Sequence, residues 1–223
     1  MPAPFPIAVL ASGRGSNLAA LIEAQRAGAL PVGFTLVASD KADAPALRIA
    51  EAHGIPTLAL DPRGYATRRD YDLDLFARVA ATQPALVVLA GFMRVLHADA
   101  VAPWHGRMLN IHPSLLPKYR GLHTHRRALE AGDAEHGSSV HFVTAELDGG
   151  PVVAQARIAV QPGDSAEALA ARLLPLEHRL LVASVGLIAA GRLALNADGP
   201  TLDGRPLRAP LQLRTDGELA AAA

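Results

Sequence analysis

Residues Ile7-Ala8-Val9-Leu10-Ala11 form an apolar run that ends in Ser12-Gly13-Arg14-Gly15-Ser16-Asn17, and a periodic segment from Leu18 to Ala27 follows. That order predicts a strand, a glycine-rich turn and a helix. The N–H groups of such a turn, with the helix N-terminus behind them, suit a phosphate. A dinucleotide fingerprint calls for a third glycine where Leu18 stands, and a P-loop calls for a Gly-Lys-Ser/Thr triplet that the chain lacks. A mononucleotide-like or sugar phosphate is therefore favoured over NAD or ATP. Asp40, at the end of the second strand, imitates the ribose-binding acid of NAD enzymes. The plainer alternative is a tight turn in which Ser16 or Asn17 caps the helix.

Working outward, the pattern repeats. Phe34 to Ser39 reads as a strand, and Ala44 to His53 as a helix closed by Gly54. Ile55 to Leu60 is strand-like. Arg68 to Ala81 carries a helical stripe at Tyr71, Leu73, Phe76, Val79 and Ala80. Ala85 to Ala90 is the most apolar strand and belongs near the middle of a sheet. This alternation predicts an α/β fold, a mostly parallel twisted sheet with helices on both faces. In the second half, Arg107 to Ile111 is a short strand and Thr124 to Ala131 a helix. Ser139 to Thr144 and Val152 to Val160 flank the turn Asp148-Gly149-Gly150-Pro151, which predicts an antiparallel edge. Ser165 to Ala190 is a long helix with a kink or break expected at Pro175. Leu202-Asp203-Gly204-Arg205 is a turn between short strands, and Glu218 to Ala223 reads as a frayed end.

No linker, repeat or charge block divides the 223 residues, so one domain is expected over 1–223. The phosphate-binding half is about 1–105, a catalytic half about 106–205 and a tail about 206–223. Hydrophobic residues make up 50% of the chain and charged residues 19%, which excludes wholesale disorder. Lys plus Arg and Asp plus Glu both number 21, so the formal net charge is zero and general nucleic-acid or membrane-surface binding is disfavoured. With no cysteine, disulfides, thiolate metal sites and a cysteine nucleophile are excluded together. No signal-like run precedes the first strand and no apolar stretch is long enough to span a bilayer, so a soluble cytoplasmic protein is expected.

Histidines concentrate in one stretch, at His105, His112, His123, His125, His136 and His141. Metal-ligand spacing is missing, so no metal is expected and most of these residues read as hydrogen-bonding loop or surface groups. His112 differs because it ends a strand and follows Asn110 by two residues. On an extended chain the amide and the imidazole then point the same way and can stabilise an oxyanion. Asp148, before two glycines, can orient and charge the imidazole. The plainer alternatives are strand-end hydrogen bonds for Asn110 and a turn cap for Asp148. Ser114 lacks a nucleophile elbow, and Ser12 and Ser16 read as phosphate contacts or helix caps. Direct transfer between two bound substrates is thus favoured over a covalent enzyme intermediate.

Six runs, in matching order, carry a resemblance. They are Leu10 to Leu18, Ala90 to Arg94 (Ala-Gly-Phe-Met-Arg), Leu109 to Tyr119 (Leu-Asn-Ile-His-Pro-Ser-Leu-Leu-Pro-Lys-Tyr), Gly121 to His125 (Gly-Leu-His-Thr-His), Gly137 to Thr144 (Gly-Ser-Ser-Val-His-Phe-Val-Thr) and Leu147 to Pro151 (Leu-Asp-Gly-Gly-Pro). Together they resemble the phosphoribosylglycinamide formyltransferase family, folate-dependent enzymes of purine synthesis, from Ile7 to about Arg205. The resemblance implies the formyltransferase fold, Rossmann-like in its N-terminal half, with 10-formyltetrahydrofolate as co-substrate. It implies that Gly15, Ser16 and Asn17 hold the ribose phosphate and that Glu177 contacts the glycinamide portion. Asn110, His112 and Asp148 would be the catalytic group. Arg68, Met93, Arg94, Val95 and Leu96, with Asn110 and the loop Thr144, Ala145, Glu146, Leu147 and Asp148, would line the folate site. Without the resemblance, Met93 and Leu96 read as core and Arg68 as a solvated helix residue.

Two departures stand out. Leu174-Pro175-Leu176 precedes Glu177, where the family more often has an uninterrupted polar helix, and Arg120 stands where the family commonly has proline. The loop from Lys118 to His125 is expected to be mobile without ligand. The implied partners are small molecules, with no nucleic acid or membrane, for a monomer or homodimer. The rivals are a methionyl-tRNA formyltransferase or a formyl-folate hydrolase, for whose further domains the length leaves no room, then a non-catalytic nucleotide- or folate-binding module, then an NAD oxidoreductase.

Overall fold

The computed structural model describes residues 3–221 and divides into two units. The first runs up to Asn110 and includes Val143–Ala145. It contains β1 (Phe5–Leu10), α1 (Ser16–Arg26), β2 (Val32–Ser39), α2 (Pro45–Ala52), β3 (Thr57–Ala59), α3 (Arg68–Ala81), β4 (Leu86–Leu89), α4 (Ala98–Val101) and the start of β5 (Met108–His112). The strands lie in the order β3-β2-β1-β4-β5, and every pairing among them is parallel, as the β-α-β alternation predicts. All four residues of β4 and the last four of β1 are buried, which accounts for their unbroken apolar runs. On one face, Ala8, Leu10, Leu36 and Ala38 pack against Tyr71, Leu75, Phe76 and Val79 of α3. The alternate residues Ile7 and Val9 are equally buried. Helix α3 spans the predicted residues because Thr67 caps it, its Oγ1 accepting from Asp70 N–H at 3.1 Å, with Asp70 in the positive first turn.

The second unit holds Ile111–Phe142 and the chain from Glu146 onward. It contains the last two residues of β5, then α5 (Thr124–Glu130), β6 (Glu135–Phe142), β7 (Val152–Ala159), α6 (Ala166–Ala189), β8 (Leu193–Asn196), β9 (Gly199–Leu202), β10 (Arg205–Pro206), β11 (Leu211–Leu213) and β12 (Leu219–Ala220). The sheet order is β5-β6-β7-β11-β12, with β6 and β7 antiparallel as expected. The edge itself is the antiparallel pair β11–β12, and β8, β9 and β10 make a small antiparallel sheet.

Three expectations are corrected here. Strand β6 starts at Glu135, four residues before the apolar pattern suggests, because its buried positions are polar. Ser138 Oγ donates to the His112 carbonyl at 2.9 Å and Ser139 Oγ to that of Ser114 at 2.7 Å, which makes their burial tolerable. Helix α6 is continuous through Pro175, so the chain does not break there. The tail is not frayed at Leu219–Ala220, which pair with β11, while Ala222 and Ala223 lie outside the described residues. Among the described residues, no helix is long and apolar enough to cross a membrane.

Candidate active site

The glycine turn after β1 is held by backbone and buried hydroxyl contacts. Ser12 is buried, its N–H bonds the Gly91 carbonyl at 3.0 Å, and its Oγ accepts from Met93 N–H at 2.9 Å. Ser12 therefore ties the first turn to the one after β4 and does not cap α1. Gly15 precedes α1 at φ 75°, and a Cβ on it would lie 2.8 Å from the Ala46 Cα. Glycine is thus required by its left-handed backbone and by the close approach of α2. Neither Ser16 nor Asn17 takes the capping place. No side chain caps α1, no acidic residue sits in its first turn, and Asn17 Oδ1 is buried without a hydrogen-bond partner. Asp40 Oδ1 is also buried and unpartnered.

Arg68 is exposed at the start of α3. The Arg94 guanidinium stacks 4.5 Å above the ring of Tyr71, one turn along the same helix. Asp72 Oδ2 accepts from His97 N–H at 2.7 Å and fixes the segment that follows Leu96. Met93 is 67% exposed and Val95 45% exposed, so the core reading fails for Met93, while Leu96 does pack partly against the core. Thr144 and Ala145 also belong to this first unit, as does half-buried Asn110 on β5.

Two residues along β5, His112 is 6% exposed. Its carbonyl accepts from Ser114 N–H and Ser138 Oγ, which fixes the strand end. Its Nε2–H donates to the Tyr119 carbonyl at 3.0 Å, and its Nδ1 lies 3.4 Å from Asp148 Oδ2. Asp148 has φ 48°, a left-handed backbone that short polar side chains accept. Its Oδ2 accepts from Gly121 N–H at 2.8 Å. Its Oδ1 lies 3.7 Å from His141 Nε2, and His141 Nδ1–H donates to the Phe142 carbonyl at 2.9 Å. One buried carboxylate thus faces two imidazoles, each anchored through its other nitrogen by a backbone carbonyl.

The electrostatics follow from burial and these bonds. Burial pushes the Asp148 carboxyl up, but the bonds from His141 and Gly121, with the nearby imidazoles, outweigh it and hold the group below the ordinary carboxylate value. For His112 the balance goes the other way. Burial pushes the imidazole down, and the Tyr119 carbonyl and Asp148 only partly restore it. The expectation of a charged His112 is corrected for the ligand-free protein. Asp148 favours the charged form, yet desolvation dominates.

Of the remaining histidines, His105 and His123 are exposed loop residues as expected, whereas His125 lies on α5 and His136 on β6. His136 is buried on β6, its Nε2 3.0 Å from His125 Nδ1, and burial followed by the His125 charge pushes it down to about 4. Ser114 Oγ donates to the Lys118 carbonyl at 2.6 Å and is committed there. Glu146 and Leu147 are exposed beside Asp148, and Glu177 is 8% exposed on α6. His141 carried no assigned role in the sequence. Its signal was a histidine among the polar residues of β6, the same feature that obscured the strand. The Tyr119 carbonyl and Gly121 N–H are backbone groups with no side-chain signature.

Known proteins supply the remaining comparison. A family model described as formyl transferase matches residues 6–185. The phosphoribosylglycinamide formyltransferase of Escherichia coli (strain K12) is 48% identical over 201 residues, covering 90% of this chain and 95% of that protein. The structure of the phosphoribosylglycinamide formyltransferase from Coxiella burnetii superposes with a TM-score of 0.88 at 46% identity, covering 92% of this chain and 96% of the other. Glycinamide ribonucleotide transformylase 1 from Symbiobacterium toebii gives 0.86 at 40% identity over 91% and 95% of the two chains. A match this long in sequence, carried by relatives covered almost end to end, places the chain in the phosphoribosylglycinamide formyltransferase family.

Proposed function

We propose that the chain transfers the formyl group of 10-formyltetrahydrofolate to the amine of 5-phosphoribosylglycinamide, a step of purine biosynthesis. The observation that carries this reading is the buried Asp148–His112 pair at the end of the strand that also bears Asn110. The neutral amine attacks the formyl carbon, a new C–N bond forms, and the bond from that carbon to the folate N10 breaks. The Asn110 amide and the His112 Nε2–H stabilise the oxyanion between these events. The Tyr119 carbonyl yields that N–H as charge develops. His112 enters the step as the imidazolium, its Nδ1 proton taken from solvent as the site loads and returned when the products leave; Asp148 favours that charge from the Nδ1 side against the effect of burial. Asp148 passes the proton lost by the amine, through water, toward N10.

The acceptor phosphate is assigned to Gly15, Ser16 and Asn17, supported by the uncapped first turn of α1, whose N–H donors meet no acidic side chain. Glu177 is assigned to the glycinamide portion. The folate is assigned to Arg68, Met93, Arg94, Val95, Leu96, Asn110 and residues 144–148. The exposed Met93, Val95 and Leu147 offer apolar surface to a pterin and Arg68 a cation to its glutamate tail. Residues 1–223 act in this reading as one formyltransferase domain, in a cytoplasmic monomer or homodimer that needs no metal and no nucleic acid. A formyl-transfer assay with 5-phosphoribosylglycinamide, methionyl-tRNA and water as competing acceptors tests it. Preference for the tRNA or for water would overturn it.

A further inference from the structure

Arg120 sits between the two backbone groups that hold the catalytic pair. Tyr119 before it offers its carbonyl to His112, and Gly121 after it offers its N–H to Asp148. The Arg120 guanidinium bonds the carboxylate of Glu146, two residues before Asp148. Glu146 is seated as well as paired. A Cβ on Gly149 would fall 2.3 Å from Glu146 Oε2, so the carboxylate folds over a residue that has no side chain. On its other side the loop is held by Arg127, which donates to the Arg120 carbonyl at 2.6 Å, and by Asp133, which accepts from both Lys118 and the Tyr119 hydroxyl.

We propose that Arg120 and Glu146 form a strap that positions Asp148, clamping residues 119–121 against residues 146–148 so that the Gly121 N–H stays on the Asp148 carboxylate. Both are positioning residues, and the kinetic consequence rests on the formyl-transfer reading. The two side chains are 39% and 66% exposed, so the strap is worth a two- to five-fold effect, about what an exposed ion pair supports.

The test is a pH titration of the Gly121 backbone amide by NMR in the substrate-free full chain, because that N–H reports the ionisation of Asp148. With the strap loosened, the ionised carboxylate loses part of its donor, and the midpoint rises. Arg120→Gln and Glu146→Gln are both expected to raise it by a few tenths of a pH unit and to cut kcat two- to five-fold. Arg120→Lys, which keeps the cation, is expected to leave both quantities nearer wild type than Arg120→Gln does. Glu146→Gln is decisive, since the loss of a nearby negative charge alone would lower the midpoint. A lowered or unmoved midpoint in Glu146→Gln overturns the strap, as does an Arg120→Lys variant that keeps wild-type Tm but shifts as far as Arg120→Gln. The titration needs no substrate, so a failure of the formyl-transfer reading shows in the acceptor assay and leaves this measurement intact.

Discussion

Replacing Asp148 with Asn removes one charge while keeping the shape of the site. The backbone there is left-handed at φ 48°, and asparagine is among the residues that accept that conformation, so the fold is expected to hold. The amide oxygen still accepts from Gly121 N–H. What disappears is the anion 3.4 Å from His112 Nδ1 and 3.7 Å from His141 Nε2. At 3.4 Å and an effective dielectric of ~20, the bare attraction to an imidazolium is about 5 kcal/mol. Desolvation offsets part of it, and the share felt in the transition state is set at about 2.7–4 kcal/mol, or roughly 10²–10³ in rate. The loss should fall on kcat with little change in either KM, because the charge matters as the oxyanion forms. Steady-state kinetics with both substrates measures this, and an NMR titration of His112 isolates the cause. Asp148 raises the His112 pKa in the wild type, so the value should drop further in the variant. A kcat within about three-fold of wild type, far inside the predicted loss, would remove Asp148 from the chemistry. An unmoved His112 pKa beside a large kcat loss would leave proton transfer as its role.

Four other outcomes are expected. Ser16→Ala should raise the acceptor KM without moving the folate KM, whereas Gly15→Ala should destabilise the whole fold, measured by denaturant unfolding, because its Cβ meets the Ala46 backbone. His136, with a folded pKa of about 4, is neutral in the native state, so the unfolded chain binds more protons between pH 6.5 and 4 and stability falls as pH falls through that window. From pH 7 to pH 5 this amounts to about 2 kcal/mol, and His136→Gln should flatten that part of the urea-stability profile. Exhaustive chelation should leave the formyl-transfer rate unchanged, and loss restored by one divalent ion would show that the histidines were misjudged.

Much of the first unit was legible because local pattern and tertiary burial agree there. The strand, glycine turn and helix from Phe5 to Arg26, and α3 from Arg68 to Ala81, have apolar spacing that states the same element, and α3 carries the Thr67 cap as well. The start of strand β6 is hidden in the sequence because its buried positions carry His136, Ser138, Ser139 and His141, and the carbonyls that accept from the two serines lie 25 or 26 residues away. Strands β11 and β12 are three and two residues long, too short for any period, and exist through pairing with β7 and with each other. At the site, the sequence puts His112 and Asp148 forward, and the structure sets them 3.4 Å apart. The charge on His112 was not legible, since it depends on burial supplied by the loop around Tyr119 and by β6. Nor was the reason for Gly15, which lies in the approach of Ala46, 31 residues away in sequence.

The most direct measurement uses 10-formyltetrahydrofolate labelled with ¹³C in the formyl carbon and 5-phosphoribosylglycinamide labelled with ¹⁵N in the amine. With catalytic amounts of the protein, the product spectrum should show one-bond ¹³C–¹⁵N coupling, growing at a rate that Asp148→Asn lowers roughly 10²–10³-fold. Label collecting in free formate, or coupling that forms no faster than without protein, would contradict the account.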